Sequence, residues 1–345
     1  MTMPVVVFDP LSVAAWDDFV ARRPDALLFH TSQWLALLEQ VYSCRVHLLG
    51  VWDGGALVGL LPLLTRRLGP FLLGGSPLMQ AIASTPFMGP LADPVYRRPI
   101  LRALGEWQRK QKIAHLELAL PVHLADVTDA IAFGYSVESC QSVVLALEGH
   151  SRDELWGNLS SACRRAVHKA EAQGVQIVAV EDATYTDVYY PMCAAVYQTS
   201  GRLPHLSKAF YAAAWDLLAA PGYLKVWLAV TGGDVIAGAV VLRYRGTAYY
   251  LSGASYDEGQ PLRPNNLLQW HIIQWAAAQG CAQYDLGGAV ISGITRFKLS
   301  FGGELHSYTR LHRASSQVAR LGRCVYAISI PLWRRFMRQV QGGLR

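Results

Sequence analysis

The sequence predicts an α/β protein built from two similar lobes. The first observation is a similarity in pattern between residues 48–67 and residues 226–245, so that the second segment begins 178 positions after the first (226 − 48). The second is that helical patterns precede both segments. The third is the length of 345 residues, 52% of them hydrophobic, which is enough for about two domains with a large buried core. Duplication of one unit accounts for all three observations.

Each of the two similar segments has the pattern of a β-hairpin. An apolar strand runs into a Gly-Gly pair, at 54–55 and again at 232–233, where positive φ angles are available. A second apolar strand then returns to a basic end. Chance similarity is the alternative, because glycine turns between apolar strands are common. The helical patterns that precede the hairpins cover residues 12–22, 32–41, 185–197 and 207–219.

A helix is predicted between the two lobes. Ser151 and Glu154 have the spacing of a capping box, and Gly174 suits the position after the last helical residue. One face of this helix is basic, with like charges one turn apart, which repel by a few tenths of a kcal/mol. This face is predicted to bind phosphate, and a merely solvated face is the alternative. Its members are Arg164, Arg165, His168 and Lys169.

A second helix is predicted after Arg263-Pro-Asn-Asn266, with Asn265 as its N-cap. Arg263 would then lie beside the unpaired amides and the positive dipole end of that helix. Such a position is suited to an anion.

The segment Gly293–Glu304 carries the best indication of chemistry. Lys298 is flanked by Phe297 and Phe301, which exclude water, and by Gly302-Gly303, which allow a close backbone approach. A cation in such surroundings is suited to a developing oxyanion. The alternative is a strand that ends in a glycine turn, with Lys298 pointing to solvent.

Composition limits the remaining possibilities. The six cysteines are scattered without a CxxC pair or metal-ligand spacing, and the ten histidines do not cluster, so no metal site is expected. A cytoplasmic protein is expected, because no charged and apolar leader opens the sequence. Net charge is +6, and residues 311–345 are expected to form a basic tail that could contact RNA or an anionic membrane. The arginines after Glu304 are Arg310, Arg313, Arg320, Arg323, Arg334, Arg335, Arg338 and Arg345.

Several segments, in order, resemble the FemABX family. In the first half, Leu28–Trp34 and Phe87–Pro90 are similar to its N-terminal segments, and no long charged helical hairpin is present, as in compact members without a coiled-coil arm. The stronger matches are Asn158-Leu-Ser through Arg164-Arg165 to Val175, Leu267-Leu-x-Trp270, Gly280-x3-Tyr-Asp-Leu-Gly-Gly288 and Gly293-Ile-x2-Phe-Lys-x2-Phe-Gly-Gly303.

FemABX proteins are aminoacyl-tRNA-dependent peptidyltransferases within the GNAT-like superfamily. The resemblance implies tandem GNAT-like lobes at 1–148 and 149–310, each a mixed sheet flanked by helices, with the tail at 311–345. It implies peptide bond formation, in which an aminoacyl group moves from charged tRNA to a free amine, often on a peptidoglycan precursor. Aminoacyl-tRNA would be the co-substrate, without a tightly bound cofactor.

The resemblance also implies roles for single residues. Lys298 matches the family lysine that stabilises the tetrahedral oxyanion, and Phe297 matches the aromatic beside it. Asp285, Tyr256 or a substrate group would accept the proton of the amine, and the sequence does not choose between them. Substrate is expected to contact Tyr256, Arg263, Trp34 and Trp270, and tRNA or diphosphate oxygens are expected to contact Arg164, Arg165, His168 and Lys169.

Two other functions stay open at this stage. One is an acyl-CoA-dependent N-acyltransferase that acts on a cell-envelope sugar, a lipid or a secondary metabolite. Against it, Arg263-Pro-Asn-Asn266 lacks the (Gln/Arg)-x-x-Gly-x-(Gly/Ala) loop of ordinary acyl-CoA acetyltransferases. A cell-wall nucleotide acceptor is disfavoured by Leu37 and Leu38, where peptidoglycan-bridge enzymes often have a phosphate-binding lysine. The other function is a non-catalytic protein that binds RNA or a membrane.

Overall fold

The structure is a computed structural model that describes residues 4–77, 87–199, 204 and 206–319. These residues divide into two compact units, and the expected pair of α/β lobes is confirmed. The first unit contains the described residues up to 139 together with 308–319, and the second contains those from 140 to 307. Each unit is a mixed sheet flanked by helices.

The first unit has its strands in the order β1-β2-β3-β4-β6-β13, and the short strand β5 pairs with β3. Its elements are β1 (Val6–Pro10), α1 (Val13–Arg22), α2 (Ser32–Tyr42), β2 (Arg45–Asp53), β3 (Ala56–Leu68), β4 (Phe71–Ser76), β5 (Leu91–Ala92), α3 (Arg97–Lys110), β6 (Ile113–Leu120), α4 (Thr128–Ala132) and the last part of β13 (Glu304–Ala314).

The second unit has its strands in the order β7-β12-β11-β10-β9-β8. Its elements are the last part of β7 (Ser136–Ala146), α5 (Arg152–Asn158), α6 (Ser161–Ala172), β8 (Gln176–Ala179), α7 (Tyr185–Thr199), α8 (Lys208–Leu218), β9 (Leu224–Thr231), β10 (Asp234–Tyr244), β11 (Thr247–Ser255), α9 (Pro264–Ala278), β12 (Gln283–Gly288), α10 (Ser292–Leu299) and the start of β13.

The internal similarity of the sequence corresponds to the same local structure in both units. The hairpins are β2–β3 and β9–β10, and their turns are Gly54-Gly55 and Gly232-Gly233, all with positive φ. The repeat extends further along the chain. In each unit one pair of strands is parallel, β4 with β6 and β11 with β12, and a helix, α3 or α9, lies between the two strands in the sequence. Parallel strands require such a crossover connection.

The end of β13 belongs to the sheet of the first unit. Residues Thr309–Ala314 pair antiparallel with β6, and Leu311 is fully buried in the core of that unit. The expected tail from residue 311 therefore begins within a strand. Its remainder, residues 320–345, lies outside the described residues.

Each unit has its own hydrophobic core between sheet and helices. The core of the second unit is built from Val167 of α6, Val241 of β10 and Ile273 of α9, all fully buried. Burial of one such side chain stabilises the fold by about 1.5–3 kcal/mol. Helices α6 and α9 are thereby fixed on the sheet, which positions the start of α9 at the end of β11.

Candidate active site

The two parallel strands at the centre of the second unit stay paired along only part of their length. β11 and β12 pair over Thr247–Tyr249 and Gln283–Asp285, although β11 continues to Ser255 and β12 to Gly288. Where the ladder ends, a fork opens between the strands. Ligands of open α/β sheets bind at the carboxyl ends of parallel strands, which makes this fork the first candidate for a site.

The ammonium of Lys298 lies at this fork. Its Nζ donates a hydrogen bond of 2.8 Å to the carbonyl oxygen of Gly288. A Cβ atom added to Gly287 would lie 3.6 Å from Nζ and 3.9 Å from the carbonyl oxygen of Tyr250, the residue that follows the last pair of the ladder, so Nζ lies near the point where the pairing of β11 and β12 ends. Lys298 is only 7% exposed, which rules out the alternative of a lysine in bulk solvent.

Burial changes the proton affinity of Lys298. Desolvation lowers its pKa from 10.5 to about 8, and the carboxylate of Asp285 partly opposes this shift. A lysine in this range is mostly charged at neutral pH but holds its proton less tightly than a solvated lysine does. It is therefore suited to donate a hydrogen bond to a developing negative charge.

Asp285 is the buried carboxyl group beside this lysine. Its Oδ1 accepts hydrogen bonds from the Ser142 hydroxyl and, at 2.7 Å, from the Gly287 amide. Burial raises the pKa of Asp285 above its ordinary value, against the opposing effects of these hydrogen bonds and of Lys298. The two side chains are thus electrostatically coupled inside the second unit.

Helix α10 positions Lys298, so the strand considered for this segment is wrong. The rings of Phe297 and Phe301 lie 5.0 Å apart in an edge-to-face contact, and Phe301 is fully buried. Gly302 follows with a φ of 87°, and a Cβ atom there would lie 2.9 Å from the carbonyl oxygen of Asn158. The expected close backbone approach at this glycine is confirmed.

The junction between α5 and α6 supports the end of α10. The amide of Ser160 donates to the carbonyl oxygen of Ser300 at 2.8 Å. The single helix expected from Ser151 to Gly174 is wrong at this point, because the Ser160 side chain accepts from the Cys163 amide and begins a new helix. The expected capping box of Ser151 and Glu154 is present at the start of α5.

Arg164, expected to contact phosphate, makes hydrogen bonds within this junction. Its Nη1 donates to the carbonyl oxygens of Gly157, at 2.9 Å, and Leu159. The guanidinium therefore satisfies carbonyl groups at the end of α5, a common use of arginine near a helix C-terminus.

The other three basic residues of α6 are exposed. His168 Nδ1 lies 3.2 Å from Glu171 Oε2, and its ring lies 5.0 Å from that of Trp156. Neither Arg165 nor Lys169 forms a salt bridge with any residue that the structure describes. These two side chains are open to an anionic ligand.

Tyr256 and Arg263 flank a 3₁₀ turn, Asp257–Leu262, at the carboxyl end of β11. Because β11 and β12 are parallel, this end lies at the same edge of the sheet as Gly288. Tyr256 is half-buried and Arg263 is exposed. Both therefore lie on the edge where the fork opens.

The start of α9 determines whether an acyl-CoA diphosphate could be held there. Arg263 is the N-cap, with a φ of 59°, and Pro264 is the first helical residue and has no amide hydrogen. The amide of Asn266 donates to the carbonyl oxygen of Arg263 at 3.1 Å. A diphosphate cradle needs several free amides at a helix N-terminus, and these residues do not provide it.

Asn265 was expected to cap α9 and does not. Its Nδ2 instead donates to Ser255 Oγ at 3.0 Å. The positive φ of Arg263 fixes the entry of the chain into the helix, and Pro264 suits the first helical position. Asn265 therefore ties the helix to the last residue of β11.

The two tryptophans expected to contact substrate are buried. Trp270 packs against Trp156 with ring centroids 5.0 Å apart and lines a cavity of about 250 Å³ with Arg152 and Gln274. Trp34 belongs to the first unit, is fully buried and contacts Phe29 edge-to-face at 5.2 Å. In the structure, both rings pack against other aromatic rings.

Sequence reasoning missed Ser142, which is only 1% exposed and donates to Asp285. The two residues are 143 positions apart and meet because β7 pairs with β12, which no local pattern of residues reveals. The sequence does contain a signal for Gly287, which has a φ of 80°, because a Gly-Gly pair ends β12.

Comparison with known proteins bears on the fold. Residues 158–299 match the acetyltransferase (GNAT) domain family. The crystal structure of FemX matches with a TM-score of 0.69 at 16% identity, over 88% of this chain and 96% of that one. The chain shares this FemABX-like fold. In this FemABX-like fold, the matched family segment contains α10 and Lys298.

Two further structures share the FemABX-like fold. One is the C-terminal domain of a protein assigned as a lysylphosphatidylglycerol synthetase from Agrobacterium fabrum, with a TM-score of 0.59 at 12% identity, over 91% of this chain and 96% of that one. The other is a tandem GNAT protein from the clavulanic acid biosynthesis pathway, with 0.56 at 14%, over 90% and 99%. No curated protein matches the sequence.

Two negative findings concern the described residues alone. None of their helices has the length and apolar character needed to cross a bilayer. Within the same residues, no three side chains of His, Cys, Asp or Glu come together as a metal site would require.

Proposed function

We propose that this chain is an N-acyltransferase that moves an aminoacyl group from aminoacyl-tRNA to a free amine of a peptide, a peptidoglycan precursor or a similar acceptor. The observation that carries the proposal is the buried ammonium of Lys298 at the fork between β11 and β12, coupled to Asp285. A buried charge is costly to keep, and such charges concentrate at functional sites.

The reaction forms one carbon–nitrogen bond and breaks one carbon–oxygen bond. The amine attacks the carbonyl carbon of the aminoacyl ester, and a tetrahedral intermediate with a negative oxygen results. The ribose hydroxyl of the tRNA then leaves and gains a proton, while the amine loses one. Lys298 Nζ donates to the negative oxygen, and one such donor is worth about 3–4 kcal/mol of transition-state stabilisation.

Phe297 and Asp285 act through Lys298 in this proposal. Phe297 neighbours Lys298 on α10 and helps to exclude water, which strengthens the electrostatic interaction. Asp285 already accepts two hydrogen bonds on Oδ1, and its charge raises the pKa of Lys298. We assign it as a positioning residue that keeps the lysine charged, and Tyr256 stays a candidate for contact with the amine.

The helix layer supports an RNA donor. The start of α9 lacks the free amides that a CoA diphosphate would need, because of Pro264 and the hydrogen bond of Asn266. Arg165 and Lys169 are exposed one turn apart on α6 and could contact phosphate oxygens of tRNA. The resemblance to FemABX proteins favours the same donor.

A second candidate is an acyl-CoA-dependent N-acyltransferase that acts on a cell-envelope sugar, a lipid or a secondary metabolite. The match of residues 158–299 to the acetyltransferase (GNAT) domain family favours it. The chemistry at Lys298 would be similar, with a thioester in place of the ester. The two candidates use different donors, and the donor is the difference that the test below measures. A cytoplasmic location agrees with either of them.

Transfer of radiolabel from aminoacyl-tRNA to candidate amines tests the proposal. The full chain is incubated with labelled donor, with and without ribonuclease, and the same amines are offered with acyl-CoA. Transfer that ribonuclease abolishes is the expected result. Transfer that survives ribonuclease and requires acyl-CoA would replace the first candidate by the second. RNA binding without transfer to any amine would favour a non-catalytic protein.

A further inference from the structure

The first unit contains a basic cavity that the proposed reaction does not use. It has a volume of about 540 Å³. It lies beside the loop between α2 and β2 and beside the paired strands β3 and β4. Its apolar lining includes Leu72 and Trp107. Its polar lining includes Arg45, His47, Thr65, Arg66 and Arg67.

The three arginines of this cavity are available to a ligand. All are exposed, and none forms a salt bridge with a described residue. The acidic side chain closest in sequence, Glu39, accepts a hydrogen bond from the Val46 amide at 2.9 Å. Lys110 and Lys112, both exposed, flank Gln111, which also lines the cavity.

His47 and Thr65 form a hydrogen-bonded pair inside the cavity. His47 Nε2 lies 2.8 Å from Thr65 Oγ1, and the His47 ring contacts Trp107 edge-to-face at 5.5 Å. Burial and the charge of Arg45 lower the pKa of His47. The cavity therefore contains hydrogen-bonding groups as well as arginines.

The hairpin that borders the cavity ends in an apolar tip. Leu68 and Phe71 are directly paired across the turn, and they are 40% and 37% exposed. Gly69, with a φ of 55°, and Pro70 form the two-residue turn between them. A two-residue turn with glycine first is a compact connection, so the two apolar side chains lie next to each other at the end of the hairpin.

Two arginines lie directly beside the tip. Arg66 and Arg67 directly precede Leu68, and both also line the cavity. Apolar side chains that enter the acyl boundary, flanked by arginines at the level of phosphates, are the arrangement of an interfacial membrane anchor.

We propose that the β3–β4 hairpin docks this chain on an anionic phospholipid surface. Leu68 and Phe71 enter the acyl boundary, and the arginines of the cavity hold headgroup phosphates. An RNA phosphate backbone would use the same arginines but would gain nothing from the apolar pair, and this difference separates the two partners experimentally.

Vesicle sedimentation of the full chain tests the proposal. The vesicles are phosphatidylcholine alone or phosphatidylcholine mixed with phosphatidylglycerol. Binding is expected only to the mixed vesicles. The variant Arg66→Ser with Arg67→Ser is expected to lose at least about tenfold in affinity, since each basic residue near an anionic surface contributes about fivefold. The variant Leu68→Ser with Phe71→Ser is expected to lose affinity by a similar factor.

The control removes two arginines elsewhere in the first unit. Arg98→Ser with Arg102→Ser makes the same change in net charge on exposed positions of α3 and is expected to bind almost as wild type. Equal binding by the hairpin variants and wild type would overturn the proposal. A second result would also overturn the proposal: only the arginine variant loses affinity for the vesicles, and inorganic phosphate or RNA displaces the wild-type chain from them. The cavity would then hold a soluble phosphate or an RNA ligand.

Discussion

The ammonium of Lys298 donates to the carbonyl oxygen of Gly288 at 2.8 Å, although Gly288 is exposed and Lys298 is buried. The hydrogen bond thus joins a sheltered charge to the open end of a strand. A carbonyl group of a substrate that enters the fork could compete with Gly288 for the same proton. A donor already oriented in this way needs little reorganisation when an oxyanion develops.

The rate of transfer should depend on pH through Lys298. The charged form is the donor, and the pKa of Lys298 is about 8, so kcat should fall as pH rises through about 8. Asp285 raises that pKa, so Asp285→Asn should move the falling limb to lower pH. The exposed Asp257 serves as the control, and Asp257→Asn should leave the limb in place. An unmoved limb in Asp285→Asn would contradict the coupling.

The same pKa predicts how folding stability depends on pH. The folded pKa of about 8 lies below the ordinary 10.5, so the Lys298 of the unfolded chain binds more protons between these values, and the contribution of Lys298 to stability rises with pH there. Lys298→Met has no such proton. The free energy of unfolding of the variant minus that of wild type should therefore be largest below pH about 8 and should decrease towards pH 10.5. Urea unfolding at both ends of this range measures it, and a constant difference would refute the assigned shift.

The close approach at Gly302 should make this position intolerant of a side chain. A Cβ atom would lie 2.9 Å from the carbonyl oxygen of Asn158, and φ is 87°. Gly302→Ala should lower the free energy of unfolding by more than about 1 kcal/mol. Gly293 has no atom within 4 Å of the corresponding position, so Gly293→Ala should be tolerated. Equal stability of the two variants would mean that the approach is looser than described.

Substitution of Arg164 should affect stability, whereas substitution of its neighbour Arg165 should affect donor binding. Arg164→Ala leaves carbonyl groups of Gly157 and Leu159 without their donor and should cost about 1 kcal/mol of stability. Arg165→Ser with Lys169→Ser should leave stability within about 0.5 kcal/mol and raise KM for aminoacyl-tRNA. Thermal unfolding and salt-dependent kinetics separate the effects. An unchanged KM in the double variant would remove α6 from the donor site.

Local patterns in the sequence were sufficient for the hairpins and for most helices. The Gly-Gly turns between apolar strands and the capping box at Ser151 each specify their structure within a few residues, and all are present. The break at Ser160 was missed because a capping serine inside an apolar repeat does not interrupt the helical pattern. The strand considered at Lys298 was wrong because a short run of apolar residues is compatible with helix or strand.

The partners of the site residues could not be predicted in the same way. Ser142 meets Asp285 across paired strands, and Arg164 meets carbonyl groups exposed only because α5 ends at Asn158. The first contact depends on tertiary structure, and the second depends on the break between α5 and α6. The sequence singled out Lys298 through its neighbours, since aromatics and glycines around a lysine indicate burial and close approach.

The most direct measurement of the central claim is the single-turnover rate of aminoacyl transfer by Lys298→Met. Lys225 of β9 is exposed, and Lys225→Met is the matched control. With both variants folded, Lys298→Met should be slower than wild type by about 10²–10³-fold, and Lys225→Met should match wild type. Equal rates for the two variants would contradict the role of Lys298 as the oxyanion donor.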